Sequence, residues 1–185
     1  MATGDVARIL RAPGTVYLNP TDLSAASPYG GTAVGHTNLC ALQPLGTPFR
    51  VEYESLGEAG DILEPNNAYV FVCFIRGWDD DAVNLFLHGE HEDGSTTQHA
   101  VFAEPGDSTP GESMLSRAVT LLYVPDDLIH VPGLIVYRGV PHWTEGSELA
   151  FQRGTELGIP LTLECVRDEN GNTLRMGRFA DLSLA

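Results

Sequence analysis

The chain contains no lysine. All ten of its basic residues are arginine, against 25 aspartates and glutamates, and the formal net charge is −15. This balance argues against a surface that binds nucleic acid, because contact with phosphates requires clusters of lysine and arginine. An acidic surface can simply keep a protein soluble, or it can face nucleic acid without holding it. Composition alone favours the first interpretation.

Two other absences narrow the class of protein. No apolar run is long enough to span a bilayer, and the N-terminal MATGDVARI lacks the basic and apolar regions of a secretion signal. A soluble protein made in the cytoplasm, without membrane contact, is therefore expected. The three cysteines show no metal-binding or redox spacing. Cys73 and Cys165 lie in apolar patterns and are predicted to be small buried side chains, whereas Cys40 lies in a less regular stretch.

Several segments have the apolar pattern of strands, and they predict seven or eight strands in all. These segments are 15–18, 49–55, 69–75, 98–102, 117–124, 134–140, 157–167 and 173–184. The last two are expected to pair as a hairpin, because Asn170-Gly171 between them suits a tight turn. Residues 19–35 and 57–67 are rich in turn formers and are expected to be long loops.

One short α-helix is expected at 79–87, where three aspartates can cap the first turn of an apolar segment. The 185 residues include 20 glycines and 12 prolines, which indicates many turns and few long helices. The chain is therefore predicted to be one domain over 1–185. Its expected fold is mainly β, an antiparallel β-sandwich or barrel with one short flanking α-helix and long assembly loops.

The sequence offers little catalytic chemistry. It has no phosphate-binding glycine loop, nucleophile elbow or zinc-hydrolase motif. The nearest approach to a metal site is a polar, glycine-broken segment, which is predicted to be a solvated loop; it contains His88, His91, Glu92, Asp93 and His99. The segment 168–172 is predicted to be a turn rather than a calcium loop. No catalytic residue, cofactor or metal site is therefore predicted, and the chain is not expected to be an enzyme.

Four segments, in this order and spacing, resemble the tail tube proteins of long-tailed bacteriophages. They are GTVYLNPTDLSAASPYGGTAVG, FIRGWDDDAVNLFL, PGESMLSRAVTLLYVPDD and IPLTLECVRDENGNTLRMGRFADLSL. The resemblance implies a structural virion protein that forms hexameric rings stacked into a hollow tube through which DNA is ejected. Such a subunit is assembled in the host bacterial cytoplasm. Strand edges would be paired between neighbouring copies, which avoids exposed edges.

The resemblance also implies partners. These are further copies of the chain, the tape measure, the tail terminator, the baseplate or tip, a sheath if the tail is contractile, and DNA that passes without tight binding. The long loops are predicted to make contacts between subunits or rings, through Asn19, Asp22, Ser24, Tyr29, Thr32, Glu58, Asp61 and Glu64. Alternate polar positions near the strands are predicted to supply acids facing the channel, namely Glu52, Glu54, Glu164 and Asp181.

Two alternatives remain open at this point. A head–tail joining (neck) protein or a capsid decoration protein would share the general character of the sequence, but would form a single ring or capsid-bound trimers. A β-sandwich ligand-binding module, or a small enzyme, could instead use a cleft lined by His130, His142 and Trp143. No acid is spaced to pair with these histidines as a base, which disfavours the enzyme.

Overall fold

The computed structural model of the chain describes residues 13–45, 49–52, 59–63, 68–76, 90–92, 101–104, 113–141 and 158–184. These residues form eleven strands: β1 Gly14–Leu18, β2 Thr32–Leu45, β3 Phe49–Glu52, β4 Ala59–Leu63, β5 Ala68–Arg76, β6 Glu90–Glu92, β7 Val101–Glu104, β8 Val119–Pro125, β9 Gly133–Pro141, β10 Ile159–Cys165 and β11 Leu174–Gly177. Two 3-10 helices, Met114–Arg117 and Phe179–Asp181, complete the described structure.

Six strands close into an antiparallel barrel. The main sheet has the order β10-β5-β2-β1-β8-β9-β11, and β10 also pairs with β9. The closing pairs set Leu163 opposite Pro141 and Cys165 opposite Gly139. Strand β11 lies outside the barrel on β9, while β3–β4 and β6–β7 form two separate two-stranded sheets. The prediction of a mainly β fold is confirmed, and the barrel form of it is the one observed.

The barrel interior is filled with apolar side chains. In β10 the apolar residues alternate: Leu161, Leu163 and Cys165 are buried in the core, whereas on the opposite face Glu164 is exposed and Thr162 is covered. This alternation is the period of a strand with one buried face. A second apolar cluster lies on the outer face of β1, β8 and β9, where Leu182 of the C-terminal segment packs. Strand β8 is therefore buried on both faces, which explains its continuous apolar sequence.

The longest strand, β2, was not predicted by the sequence pattern. Residues 32–35 were expected to belong to a loop and Cys40 to an irregular stretch, but all of them lie in this 14-residue strand. The pattern fails because the strand contains a β-bulge: Thr37 faces Ile75 and Cys40 faces Cys73, so two residues stand opposite Phe74. A bulge reverses the faces of the residues beyond it, which destroys a simple alternation.

The predicted C-terminal hairpin is wrong. Strand β10 pairs with β5 and β9, and β11 pairs with β9. Both are antiparallel to β9 and follow one another along the same edge of it. The segment between them leaves the sheet and returns to the same edge of β9, and we call its residues 168–172 the excursion. It is closed by a hydrogen bond in which the Asp168 N–H donates to Asn172 O at 2.8 Å. Gly171, at φ 85°, permits this turn. The Asn-Gly signal located the turn correctly, but could not tell a hairpin from an excursion.

Smaller differences concern the ends and connections of strands. The expected 57–67 loop contains β4, the expected strand at 98–102 is β7 at Val101–Glu104, and Arg117 belongs to a 3-10 helix that precedes β8. The predicted helix at 79–87 lies outside the described residues. Within the described part of the chain, no helix has the length and apolar character needed to cross a membrane.

Closure of the barrel also corrects an expectation about strand edges. The six barrel strands find both neighbours within one chain, so they do not need copies of the chain to pair their edges. Among the described strands of the main sheet, only β11 ends the sheet order with one neighbour.

The bulge in β2 is held by Thr37, whose side chain is fully buried. Its hydroxyl oxygen lies 2.8 Å from both Phe74 O and Leu39 O, which share its one hydrogen as acceptors, and it accepts from Leu39 N–H at 3.2 Å. The side chain thus supplies hydrogen bonds that the interrupted ladder cannot make. Buried backbone groups left without a partner are costly, so this hydroxyl stabilises the bulge.

We expect Thr37→Val to lower the free energy of unfolding by about 1–3 kcal/mol, because the shape is kept while buried backbone groups lose their partner. Urea unfolding followed by tryptophan fluorescence measures the change. Thr32→Val, on an exposed residue of the same strand, is the matched control and should stay within about 0.5 kcal/mol of the parent. Equal stability of the two variants would contradict this role for the hydroxyl.

Candidate functional site

The loop between β1 and β2, residues 19–31, is a compact structure tied to the barrel. Asn19 N–H donates to Thr120 O at 2.7 Å, and Asn19 Oδ1 accepts from Thr120 N–H at 3.0 Å. The N–H groups of Thr21 and Asp22 both donate to Tyr29 O at 3.0 Å. Asn19 is in the left-handed region at φ 47°, which asparagine tolerates better than most residues. These bonds fix both ends of the loop.

Asp22 organises the exposed tip of the loop. Its Oδ1 accepts from Ser24 N–H at 2.9 Å and from the Ser24 hydroxyl at 2.6 Å. These hydrogen bonds, the one from the hydroxyl first, lower the pKa of the Asp22 carboxyl from its ordinary value. The carboxylate is therefore charged at neutral pH, and both side chains remain exposed to solvent.

Aromatic side chains hold the other side of the loop. The Tyr29 ring lies 5.1 Å from Tyr17, edge to face, and 5.3 Å from Phe179 in the C-terminal 3-10 helix. The hydroxyls of Tyr17 and Ser27 are 3.0 Å apart. Burial, and then the neighbouring Tyr17, raise the pKa of Tyr29. The Tyr29 ring is thus engaged within its own subunit, and this loop's predicted contacts at Asn19, Asp22 and Ser24 are the exposed ones.

The other predicted contacts and channel acids lie on several elements. Thr32 is exposed at the start of β2, and Glu164 is exposed on the outer face of β10. Asp181 is exposed in the C-terminal 3-10 helix. Asp61 belongs to β4 and Glu52 ends β3, and only their backbone is described. Three predicted residues lie outside the described part of the chain: Glu54, Glu58 and Glu64.

Charge is distributed unevenly between the barrel and the rest of the chain. The stretches 13–45, 68–76, 113–141 and 158–184, which build the barrel, contain seven acids and six arginines. The remainder contains eighteen acids and four arginines, and so carries nearly all of the net charge of −15. Residues 77–112 alone contain nine acids and no arginine. We call residues 77–112 the acidic segment.

The acidic segment joins the barrel at the same end as the 19–31 loop. Strand β1 ends at Leu18, opposite Thr32, where β2 begins. Strand β5 ends at Arg76, opposite His36 near that same end of β2. The chain returns to the barrel at Val119, the first residue of β8. One end of the barrel therefore carries the packed loop and both attachment points of the acidic segment.

The proposed histidine cleft is described only in part. The expectation that no acid pairs with these histidines is wrong for His130, whose Nδ1 lies 2.8 Å from Asp127 Oδ2 in the exposed turn between β8 and β9. The same carboxylate accepts from the N–H groups of Ile129 and His130, each at 3.1 Å. This pattern is that of a turn fixed by an aspartate side chain. His142 and Trp143 lie outside the described residues, so the cleft stays a prediction.

No group of three or more metal-ligating side chains occurs in the part of the chain that the structure describes. His91 and Glu92 lie in β6 with only their backbone described, and His88, Asp93 and His99 fall outside the described ranges.

An open groove of about 270 Å³ borders the 168–172 excursion, and its polar lining includes Asn19, Thr120, Tyr137, Arg138, Asp168 and Glu169. Thr120 is already satisfied, since its hydroxyl donates to Tyr137 O at 2.9 Å.

The chain matches no protein-family model and no curated protein. The features that distinguish its surface are therefore those of its own sequence and geometry.

We expect the His130 ring to hold the pKa of Asp127 below its ordinary value, since the hydrogen bond from that ring is the largest cause of the lowering. A lowered pKa in the folded state means that the contribution to stability is complete above the unfolded pKa of about 3.9 and is lost as the pH falls through the folded value. His130→Ala should raise the titration midpoint of Asp127, as measured by carboxyl NMR.

The matched control for this titration is His36→Ala. His36 lies 3.7 Å from the neighbouring Asp126 and does not contact Asp127. It should leave the Asp127 midpoint unchanged. An unchanged midpoint in His130→Ala would show that the backbone N–H groups alone set the pKa of Asp127.

Proposed function

We propose that the chain is the structural subunit of a bacteriophage tail tube, and that it assembles as stacked rings around an acidic channel for DNA. The sequence resemblance described above motivates this function. The observation that carries it is the separation of charge: a nearly neutral barrel with an acidic segment of nine carboxylates and no arginine attached at one end. A wall that lets DNA pass without holding it requires such a concentration of negative charge and an absence of arginine.

The channel in this proposal lies between subunits and not inside the barrel of one subunit. The barrel interior is packed with large apolar side chains, such as Phe71, Ile75 and Leu163, which are fully buried. A hollow tube must therefore be enclosed by the outer surfaces of several copies. Carboxylates on such a wall repel the phosphates of DNA, so the DNA can pass through the channel without being held.

Neighbouring copies would meet through loops and through the outer edge of β11. Because the barrel is closed, each of its six strands already has a neighbouring strand on both sides within the described chain. Strand β11 has β9 on one side only, within the described sheet, and its Met176 is 61% exposed. The exposed polar side chains of the 19–31 loop, including Asp22 and Ser24, face solvent in the single chain and are available to a second ring.

We expect the purified protein to form hollow tubes by negative-stain electron microscopy, and Asp22→Arg combined with Ser24→Arg to abolish them. The substitutions remove the hydrogen bonds of the loop tip and place two cations at the proposed ring contact. The barrel should still fold, which circular dichroism and thermal unfolding would verify. Asn170→Arg, on the exposed 168–172 excursion, is the matched control and should assemble normally.

The form of the assembled particles separates the candidate functions. Single rings without tubes would replace the tail tube by a neck protein, and trimers by a capsid decoration protein. A protein that stays monomeric at every concentration and salt condition would overturn the proposal. Normal tubes from the double loop variant would remove the 19–31 loop from the contact while leaving the tube itself in place.

The position of the channel acids can be tested on assembled tubes. Glu164 is exposed on β10, and if it lines the channel, Glu164→Arg should make the tubes retain linear DNA at low salt, because a ring of cations then faces the phosphates. Co-sedimentation of DNA with tubes measures the effect. Glu169→Arg, an equal charge change on the excursion, is the control; equal DNA retention by both would place Glu164 outside the channel.

A further inference from the structure

Two of the three cysteines lie directly opposite each other on neighbouring strands of the barrel. Cys40 of β2 and Cys73 of β5 are directly paired in the antiparallel register. Cys73 is buried in the barrel core with 1% of its surface exposed, and Cys40 is half-buried and packs against the same core cluster. Both side chains therefore lie on the same side of the sheet. Each is a free thiol.

This arrangement has the dimensions of a disulfide. Directly opposed residues of an antiparallel pair have Cα atoms about 4.5–5.5 Å apart, and disulfides usually join Cα atoms separated by about 4.4–6.8 Å. Cys165, by contrast, is paired with Tyr69 and has no cysteine opposite it. The geometry thus selects one pair among three cysteines.

We propose that Cys40 and Cys73 form a reversible intrachain disulfide that links β2 to β5 when the protein meets an oxidising small-molecule disulfide. The Cys40 thiolate attacks one sulfur of the small disulfide, forms a mixed disulfide and releases one thiol. The Cys73 thiolate then attacks the Cys40 sulfur and releases the second thiol. Two protein thiols are oxidised, and one external disulfide is reduced to two thiols.

The order of the two steps follows from exposure. Cys40 is the partner that an external disulfide can reach, since Cys73 is almost completely buried. Burial, and next the hydrogen bond that the neutral Cys73 thiol donates to Cys40, also raise the pKa of Cys73, so its thiol is a poor first nucleophile. Once Cys40 carries the mixed disulfide, Cys73 is the neighbouring thiol that can resolve it.

The cross-link would stabilise the barrel. It closes a loop from 40 to 73, which includes the connection containing β3 and β4. Restricting that loop in the unfolded chain should raise the thermal unfolding midpoint by about 5–15 °C. The response would occur whether or not the subunit assembles with other copies, because both thiols belong to one chain.

The test uses the full chain and oxidised glutathione. We expect the intact mass to fall by two hydrogen atoms, with restoration by dithiothreitol. Trypsin cleaves after arginine and places the three cysteines in separate peptides, because Arg50 lies between Cys40 and Cys73. Peptide mass spectrometry without reduction should therefore find the two peptides joined. The oxidised protein should also show the raised unfolding midpoint.

Two variants separate the steps. Cys165→Ser should form the same cross-link, whereas Cys73→Ser should stop at a glutathione adduct on Cys40. Several results would overturn the proposal: a chain that stays a dithiol at high oxidised glutathione, a stable adduct on Cys40 of the unsubstituted chain, or a cross-link that uses Cys165 or a second copy. A disulfide that leaves the unfolding midpoint unchanged would overturn its stabilising role.

Discussion

The pairing of β10 with β9 is the constraint on which the rest of the structure depends, because it closes the barrel. The strands approach closely at this seam: a Cβ on Gly139 would lie 3.1 Å from Leu163 Cδ2 and 3.3 Å from its Cβ, so a larger residue would require the Leu163 side chain to shift. Closure encloses the apolar core and gives each barrel strand two neighbours. Within the described main sheet, the surfaces left for another molecule are therefore the barrel ends, the outer faces and β11.

This constraint shapes how the chain could build a larger object. A closed, filled barrel contributes no bore, so the proposed assembly would use surfaces that closure leaves outside. The net charge also lies mainly outside the barrel. The stretches that build the barrel contain nearly equal numbers of acids and arginines, whereas the acidic segment contains acids and no arginine. Charged segments attached to a stable barrel can change their contacts with other molecules without disturbing the apolar core. In the proposed tube, the charge of the attachments, rather than that of the whole chain, would decide how the assembly treats DNA.

Sequence patterns predicted those parts of the fold where one local rule was sufficient. Strands β1, β5 and β9 were located closely, because their apolar residues face a core without interruption. Strand β2 was missed because its bulge breaks the alternation, and the C-terminal hairpin was wrong because pairing partners are decided by the barrel as a whole. The exposed loop residues were plausible contacts from composition. The half-burial of Tyr29 could not be predicted from composition, since it depends on a contact with Phe179, which is remote in sequence.

The bulge in β2 also decides which thiols meet. Before it, the register sets Thr37 opposite Ile75; if that register continued, Cys73 would face Leu39 and Cys40 would face Val72. The two thiols would then lie on opposite faces of the sheet, because a shift of one residue reverses every side chain. The extra residue, held in place by the buried Thr37 hydroxyl, brings Cys40 onto the face of Cys73. The hydrogen bonding between the Thr37 hydroxyl and Phe74 O thus helps to place the two sulfur atoms on one face of the sheet. The proposed reaction of the thiols therefore depends on the β-bulge, which strand periodicity does not reveal.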